Sequence, residues 1–403
     1  MRVASLDLLR GVAILGILPV NIAAFGLASV AYQNPLALGP IDPASMWAWR
    51  IMHLLFDQRF MTIFCVMFGA GIALLAERPA RPGTSPAGRH YRRMAWLLAI
   101  GMVHAYGVWF GDILANYAVC AMLIWPLRRM ASGWLCAIAG TLMMVPPLIM
   151  VGLALLMGFA PPEVASKMMM SWQPPPDVIA EEVAAMRGGW LEQMPVRAAN
   201  AALMQFGIFF MWALWRTTAL MMVGIVLYRS GFLSAAWRSR TYALLAALAT
   251  AVGLALTGTG LLRAERAEFT GVTMITTWMN WNYFGSLFGA LGWASAVMLL
   301  AQAARPVRML AALEAVGRTS LSNYLLQSLA CTLIFNGHGL GWFGHLNRVQ
   351  LWGVVIAVWV TQIVLTLLWM RVASVGPVEW AWRSLAAWRV LPLDRRAPAS
   401  RPA

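Results

Sequence analysis

An all-α, polytopic integral membrane helix bundle is the fold class this sequence predicts, and two observations carry the prediction. Hydrophobic residues make up 61% of the chain and charged residues 11%, with a mean hydropathy of +0.69, too apolar for a soluble globule of 403 residues. Apolar runs of bilayer length recur from one end to the other, separated by loops that hold most of the arginines.

Taken in order, the apolar runs fall near residues 8–30, 57–77, 94–112, 113–127, 133–159, 203–228, 242–262, 272–302, 319–336 and 349–371, which predicts about ten transmembrane helices. The first run continues into many more, so it reads as a retained helix, although Ser29-Val30-Ala31 has the small-residue form of a cleavage site. Within the eighth run, Asn280-Trp281-Asn282 predicts a break or a re-entrant bend. Residues 1–390 form a single transmembrane domain with one large external loop at 160–200, whose Pro174-Pro175-Pro176-Asp177 and Glu181-Glu182 suit a small lid. The basic tail 391–403 reads as disordered and close to anionic lipid.

Charge sets the orientation. Arg89, Arg92, Arg93, Arg128, Arg129, Arg229, Arg238, Arg240, Arg308, Arg318 and the C-terminal arginines fall on one side of a ten-span chain, which places both termini in the cytoplasm by the positive-inside rule. A net charge of +15 with a pI near 10.9 is accounted for by these loops, so nucleic acid is not implied. Lys167 is the only lysine, a bias that fits a GC-rich coding sequence as well as phosphate chemistry. Cys65, Cys120, Cys136 and Cys331 all lie in apolar runs without CxxC spacing and read as packed thiols.

The stretch Ser5-Leu6-Asp7-Leu8-Leu9-Arg10-Gly11 places two charges where the first helix enters the membrane. At about 100° per residue, Arg10 and Asn21 return to within roughly 20° of one face, Asn21 about 16 Å deeper. Asp7 precedes Arg10 by one turn and can pair with it. A carboxamide at that depth needs partners, and helix–helix hydrogen bonding is the plain alternative to a functional role for Asn21. Pro19 cannot donate to the carbonyl of Leu15 and loosens the helix there.

Polar residues inside spans mark the places for chemistry. His104 lies eight residues before Asp112; on one continuous helix the two flank a surface about 12 Å apart along the axis, too far to touch. Histidine suits proton transfer near neutral pH, and a structural hydrogen-bonding role stands beside that reading. Asp112 also fits a simple turn between spans. Arg216, near mid-bilayer, requires an anion, either Asp112, Asp57 or a ligand's phosphate or carboxylate, with a protein carboxylate favoured. Ser320, Asn323, Tyr324, Gln327 and Ser328 share one helical face, which lines a cavity, a ligand or other polar helices. His53 with Asp57, and His338 with His345, read as solvated groups, and no spacing points to a metal.

Leu6-Asp7-Leu8-Leu9-Arg10-Gly11 with Asn21, Arg59-Phe60 to Phe68-Gly69-Ala70-Gly71, Gly101-Met102-Val103-His104 with Gly111-Asp112-Ile113-Leu114, Gly317-Arg318 to Gln327-Ser328, and Gly376-Pro377-Val378-Glu379-Trp380 together resemble the YeiB-like bacterial inner-membrane family. The C-terminal half resembles the region catalogued for that family as a domain of unknown function. The N-terminal motif is similar to that of heparan-alpha-glucosaminide N-acetyltransferase and the wider transmembrane acyltransferase group. That resemblance implies an active-site role for Asn21. Where those enzymes carry a catalytic histidine this chain has Tyr32, which leaves His104 as the candidate base. The implied function is a membrane-embedded acyltransferase of the inner (cytoplasmic) membrane, moving an acyl group from cytoplasmic acyl-CoA, such as acetyl-CoA, to a glycan or lipid-linked acceptor. His104, Asn21 and Asp112 would form the catalytic group. Arg10, Asp7 and Arg318 would bind the donor, and Arg216, Asn323, Tyr324, Gln327 and Ser328 would line the cavity. A transporter or lipid-handling protein with a polar intramembrane path is the alternative, and the oligomeric state is open, a homodimer included.

Overall fold

A computed structural model describes residues 3–77, 85–161, 163–164, 172–303 and 308–393. We number its α-helices α1 (Ala4–Gly26), α2 (Pro43–Leu55), α3 (Arg59–Glu77), α4 (Pro86–Gly107), α5 (Leu114–Ile124), α6 (Ser132–Phe159), α7 (Pro176–Arg187), α8 (Met194–Arg229), α9 (Ser239–Arg266), α10 (Gly271–Ala301), α11 (Arg308–Arg318), α12 (Ser320–Phe335), α13 (Arg348–Val372) and α14 (Pro377–Ala387). Seven helical stretches have the length and composition to cross a membrane: α1, α2 with α3, α6, α8, α9, α10 and α13. The other expected runs are also helical. However, α5 has 11 residues, about 16 Å and half a hydrocarbon core, and α4 carries Arg89, Arg92 and Arg93 near its start.

Inside α10 the break expected at Asn280-Trp281-Asn282 is absent: the helix continues, and the irregularity is a π-helical widening just before it, over Met274–Trp278. α8 opens in the same way over Leu203–Ala213 and returns to α geometry at Leu214. Wide turns of this kind rotate the side chains that follow, here Arg216 and Asn282, onto another face.

Pro19 does what its chemistry requires. The Leu15 carbonyl, deprived of its helical donor, accepts instead from the Trp359 indole at 3.0 Å, and Gln327 donates to the neighbouring Ile14 carbonyl at 3.0 Å. The loosened turn of α1 is thereby tied to α12 and α13. Near its N-terminus α1 meets α11 backbone to backbone, since a Cβ on Gly317 would sit 1.8 Å from the Asp7 carbonyl oxygen and one on Gly11 1.9 Å from that of Leu313. The two motifs that held Asp7, Arg10 and Arg318 thus meet in one place.

Residues 172–200 fold back over the bundle. Ser29 donates to Glu182 at 2.6 Å, Arg187 to the Phe343 carbonyl at 2.8 Å, and Trp190 to the carbonyl of Gly107, the last residue of α4, at 2.9 Å. Gln193, fully buried, donates to the Met186 and Gly188 carbonyls and accepts from Arg197 and Asn336. Lys167 and the tail from residue 394 onward lie outside the described residues. Cys65, Cys120 and Cys331 are buried free thiols, whereas Cys136 is exposed on α6.

Candidate functional site

The sequence reading places Asp112 on the helix of His104 and out of its reach, and the structure corrects this. α4 stops at Gly107, and the chain reverses before α5 begins at Leu114. The reversal returns Asp112 to the imidazole, with Nδ1 and Oδ1 2.9 Å apart and both side chains buried. The second carboxylate oxygen accepts from the Ala115 amide at 2.8 Å, using one of the free N–H groups of the first turn of α5. Gly101 makes the approach possible, because a Cβ there would lie 2.8 Å from Asp112 Oδ2 and 2.5 Å from the Ala115 nitrogen.

Aromatic rings wall the pair. The Tyr324 ring lies 5.2 Å from the imidazole, and its hydroxyl donates to the Gly111 carbonyl and accepts from the Ile113 amide. Trp109 lies 6.5 Å away on another side. A carboxylate only accepts, so Nδ1 carries the proton of the neutral ring and Nε2 keeps its lone pair. That Nε2 is buried and has no hydrogen-bond partner among the described residues. Phe25 of α1 stacks on Trp109 at 4.1 Å, and one turn before Phe25 stands Asn21, half-buried and without a side-chain hydrogen bond among the described residues. The stack joins the Phe25 turn of α1 to the Trp109 segment that follows α4.

The other predicted residues have different settings. Arg10 pairs with Asp7 at 3.0 Å, and Arg318 donates to the Ser374 carbonyl at 2.8 Å. Asn323 bonds Thr319 and exchanges hydrogen bonds with Thr366 of α13. Gln327 donates to Gln362 at 2.9 Å, and Ser328 donates back to the Tyr324 carbonyl. In this structure the polar face of α12 joins helices, with Tyr324 as its member at the His104 site.

Arg216 requires a second correction. No carboxylate lies at salt-bridge distance from it among the described residues; it donates instead to Thr62 at 2.9 Å, Ser286 at 2.8 Å and the Tyr283 carbonyl at 3.2 Å. The face of Tyr283, 4.3 Å from the guanidinium carbon, completes its shell. Nor are His53 and Asp57 solvated. They are 0% and 1% exposed and joined at 3.0 Å. Asp57 also accepts from Tyr32 and from Asn282, both at 2.7 Å, while His53 Nε2 meets the Tyr32 carbonyl at 3.2 Å. Burial, and then the charge of Asp57, push the Tyr32 hydroxyl well above the usual phenol range and keep it a donor.

Sequence reasoning missed Tyr32, Asn282, Gln193 and Glu379. Glu379 accepts from the Leu321 amide at 2.6 Å and from the Ser322 amide and hydroxyl, holding the start of α12 from a distant helix. Its place in Gly376-Pro377-Val378-Glu379-Trp380 was the available signal. Among the described residues no group of His, Cys, Asp and Glu has the arrangement to hold a metal ion.

Residues 227–389 match the family described as protein of unknown function (DUF418). Over nearly its whole length the chain is similar to uncharacterized protein YeiB of Escherichia coli (strain K12), with 32% identity covering 95% of this chain and 96% of that protein. It is also similar to uncharacterized protein YxaH of Bacillus subtilis (strain 168), with 26% identity covering 95% and 94%.

Proposed function

Since the chain belongs to the YeiB family and seven of its own helical stretches have the length and composition to cross a membrane, we propose that it is a membrane acyltransferase with its reaction centre at His104. The observation that carries this reading is the buried, unpartnered Nε2 of an imidazole whose other nitrogen is held by Asp112, the arrangement of an oriented general base. His104 takes the proton of an acceptor hydroxyl or amine as that atom attacks the thioester carbon. The carbonyl becomes an oxyanion, to which Asn21 donates. Collapse of the adduct expels the coenzyme A thiolate, which takes the proton from His104 and leaves the acylated acceptor. Asp112 holds the Nδ1 proton and stabilises the transient imidazolium.

The donor enters from the cytoplasmic side of the inner membrane, where both termini lie, and its phosphates meet Arg10 and Arg318 at the contact of α1 with α11. The pantetheine arm then follows α1 to Asn21. The acceptor, a glycan or lipid-linked hydroxyl or amine, reaches His104 from beneath the external segment that Trp190 ties to Gly107. Purified protein incubated with labelled acetyl-CoA and candidate acceptors tests this. Label transfer that His104→Ala abolishes is expected, and parent-level transfer by His104→Ala overturns the assignment. A transporter is the second reading, favoured by the buried charge at Arg216; solute flux into liposomes without acyl-CoA turnover would select it.

A further inference from the structure

At the start of α13 a cation takes no part in the chemistry above and has no charge set against it. Arg348, the first residue of that helix, is 8% exposed, and no carboxylate lies at salt-bridge distance from it among the described residues. It donates to the Ala31 carbonyl at 2.6 Å. Its other guanidinium nitrogens bond nothing among the described residues, and they are not sealed in protein, for Arg348 lines a crevice between α1, α2 and α13. Pro19 and Ile22 of α1, Trp49 and Met52 of α2 and Trp352 of α13 give that crevice its apolar wall. No acidic residue lines it.

The crevice lies at the level of a bilayer edge. α1 and α13 both have the length and composition to cross a membrane, and α13 starts where α1 ends: the Gly344 amide donates to the carbonyl of Gly26, the last residue of α1, at 2.7 Å. Trp342, in the segment leading to α13, is exposed, and tryptophan with arginine at a helix end belongs to the headgroup region. A guanidinium with donors to spare at that level suits a phosphate, and basic sites between membrane helices hold lipid headgroups. We infer that one anionic phospholipid binds here, with its phosphate on Arg348 and the upper part of an acyl chain in the crevice. The apolar wall favours a lipid over a soluble anion, because it continues inward to Pro19, about 10 Å along α1 from Gly26. The inference is independent of acyl transfer at His104.

The test uses the purified full-length protein in an uncharged detergent, with unfolding followed by tryptophan fluorescence. One arm adds dioleoylphosphatidylglycerol, a second adds dioleoylglycerol, which lacks the phosphate, and a third adds inorganic phosphate at constant ionic strength. The expected result is a saturable rise in Tm on the order of 3 °C or more with the phospholipid alone. The rise should vanish in Arg348→Gln and persist in Arg348→Lys, which keeps the charge. It should also persist in Arg371→Gln, which removes an exposed arginine from the last turn of the same helix. Ala48→Leu, which fills the crevice and leaves Arg348 in place, provides the same readout as Arg348→Gln should that variant fail to fold. A rise with inorganic phosphate alone that Arg348→Gln abolishes overturns the lipid in favour of a soluble anion. The inference is also overturned by no rise in any arm, by equal rises with the phospholipid and with dioleoylglycerol, or by a phospholipid effect that Arg348→Gln and Ala48→Leu leave unchanged.

Discussion

Two histidine–aspartate pairs are buried in this bundle, and they differ in one nitrogen. His53 and Asp57 lie one helical turn apart in sequence, and every position around them is taken: Nε2 by the Tyr32 carbonyl, and the carboxylate by Tyr32 and Asn282. His104 and Asp112 come from opposite sides of a chain reversal and are held as closely, at 2.9 Å, yet His104 Nε2 has no hydrogen-bond partner among the described residues. A buried imidazole with both nitrogens engaged is a structural joint. One with a single engaged nitrogen is oriented for a proton it does not yet have. Burial and a carboxylate partner are therefore common to both; the proposed role of His104 as a base rests on its Nε2 alone.

The comparison is most open to being broken at Asp57. Asp57→Ala leaves a ring proton, the Tyr32 hydroxyl and the Asn282 amide without an acceptor, and it should cost about 3–5 kcal/mol of stability, seen as a large fall in Tm. A mild effect would mean that the closed pair holds nothing together. For the open pair the loss should appear in rate: His104→Ala is expected to slow acyl transfer by about a hundredfold or more while the Tm falls far less than in Asp57→Ala. Equal losses of stability in the two variants would erase the distinction drawn here.

Gly101→Ala sharpens the case from the backbone side. The added methyl meets the Ala115 amide and Asp112, so this overpacking should cost about 1–3 kcal/mol and also slow transfer, because the carboxylate must move off the imidazole. Ala at Gly107, which has open space around its Cβ position, serves as the control. The smallest effect belongs to the segment around Gln193. Gln193 Nε2 meets His338 Nδ1 at 3.3 Å, a contact that needs an unprotonated Nδ1. Burial, and then the charge of Arg197, lower the pKa of His338 below the usual histidine range. The folded state thus binds this proton less tightly than the unfolded chain. Its contribution is complete above the usual histidine range and is lost as pH falls through that range toward the folded value. Hydrogen-exchange protection factors in residues 186–197, referred to the intrinsic rate at each pH, should accordingly fall modestly on mild acidification, and His338→Gln should flatten that response.

Much of the architecture was written in one dimension. Hydropathy alone determined a helical membrane chain, because a bilayer rewards apolar length whatever the partners. Pro19 determined that the Leu15 carbonyl would be free, since a missing N–H is a local fact. Spacing also determined the Asp7–Arg10 pair, which lies within a single turn. It did not determine which polar residues meet across turns and between helices. Asp112 reaches His104 only because α4 ends at Gly107, earlier than its hydropathy suggests, and reverses. Arg216 was read correctly as a charge in need of compensation and wrongly as the partner of a carboxylate. Thr62 and Ser286 are in reach because α3 packs against both α8 and α10. Hydrogen bonding acts over a few ångströms in space, and a helix can bring any of its neighbours within that range. The tertiary structure alone decided that one buried imidazole was closed and the other left open.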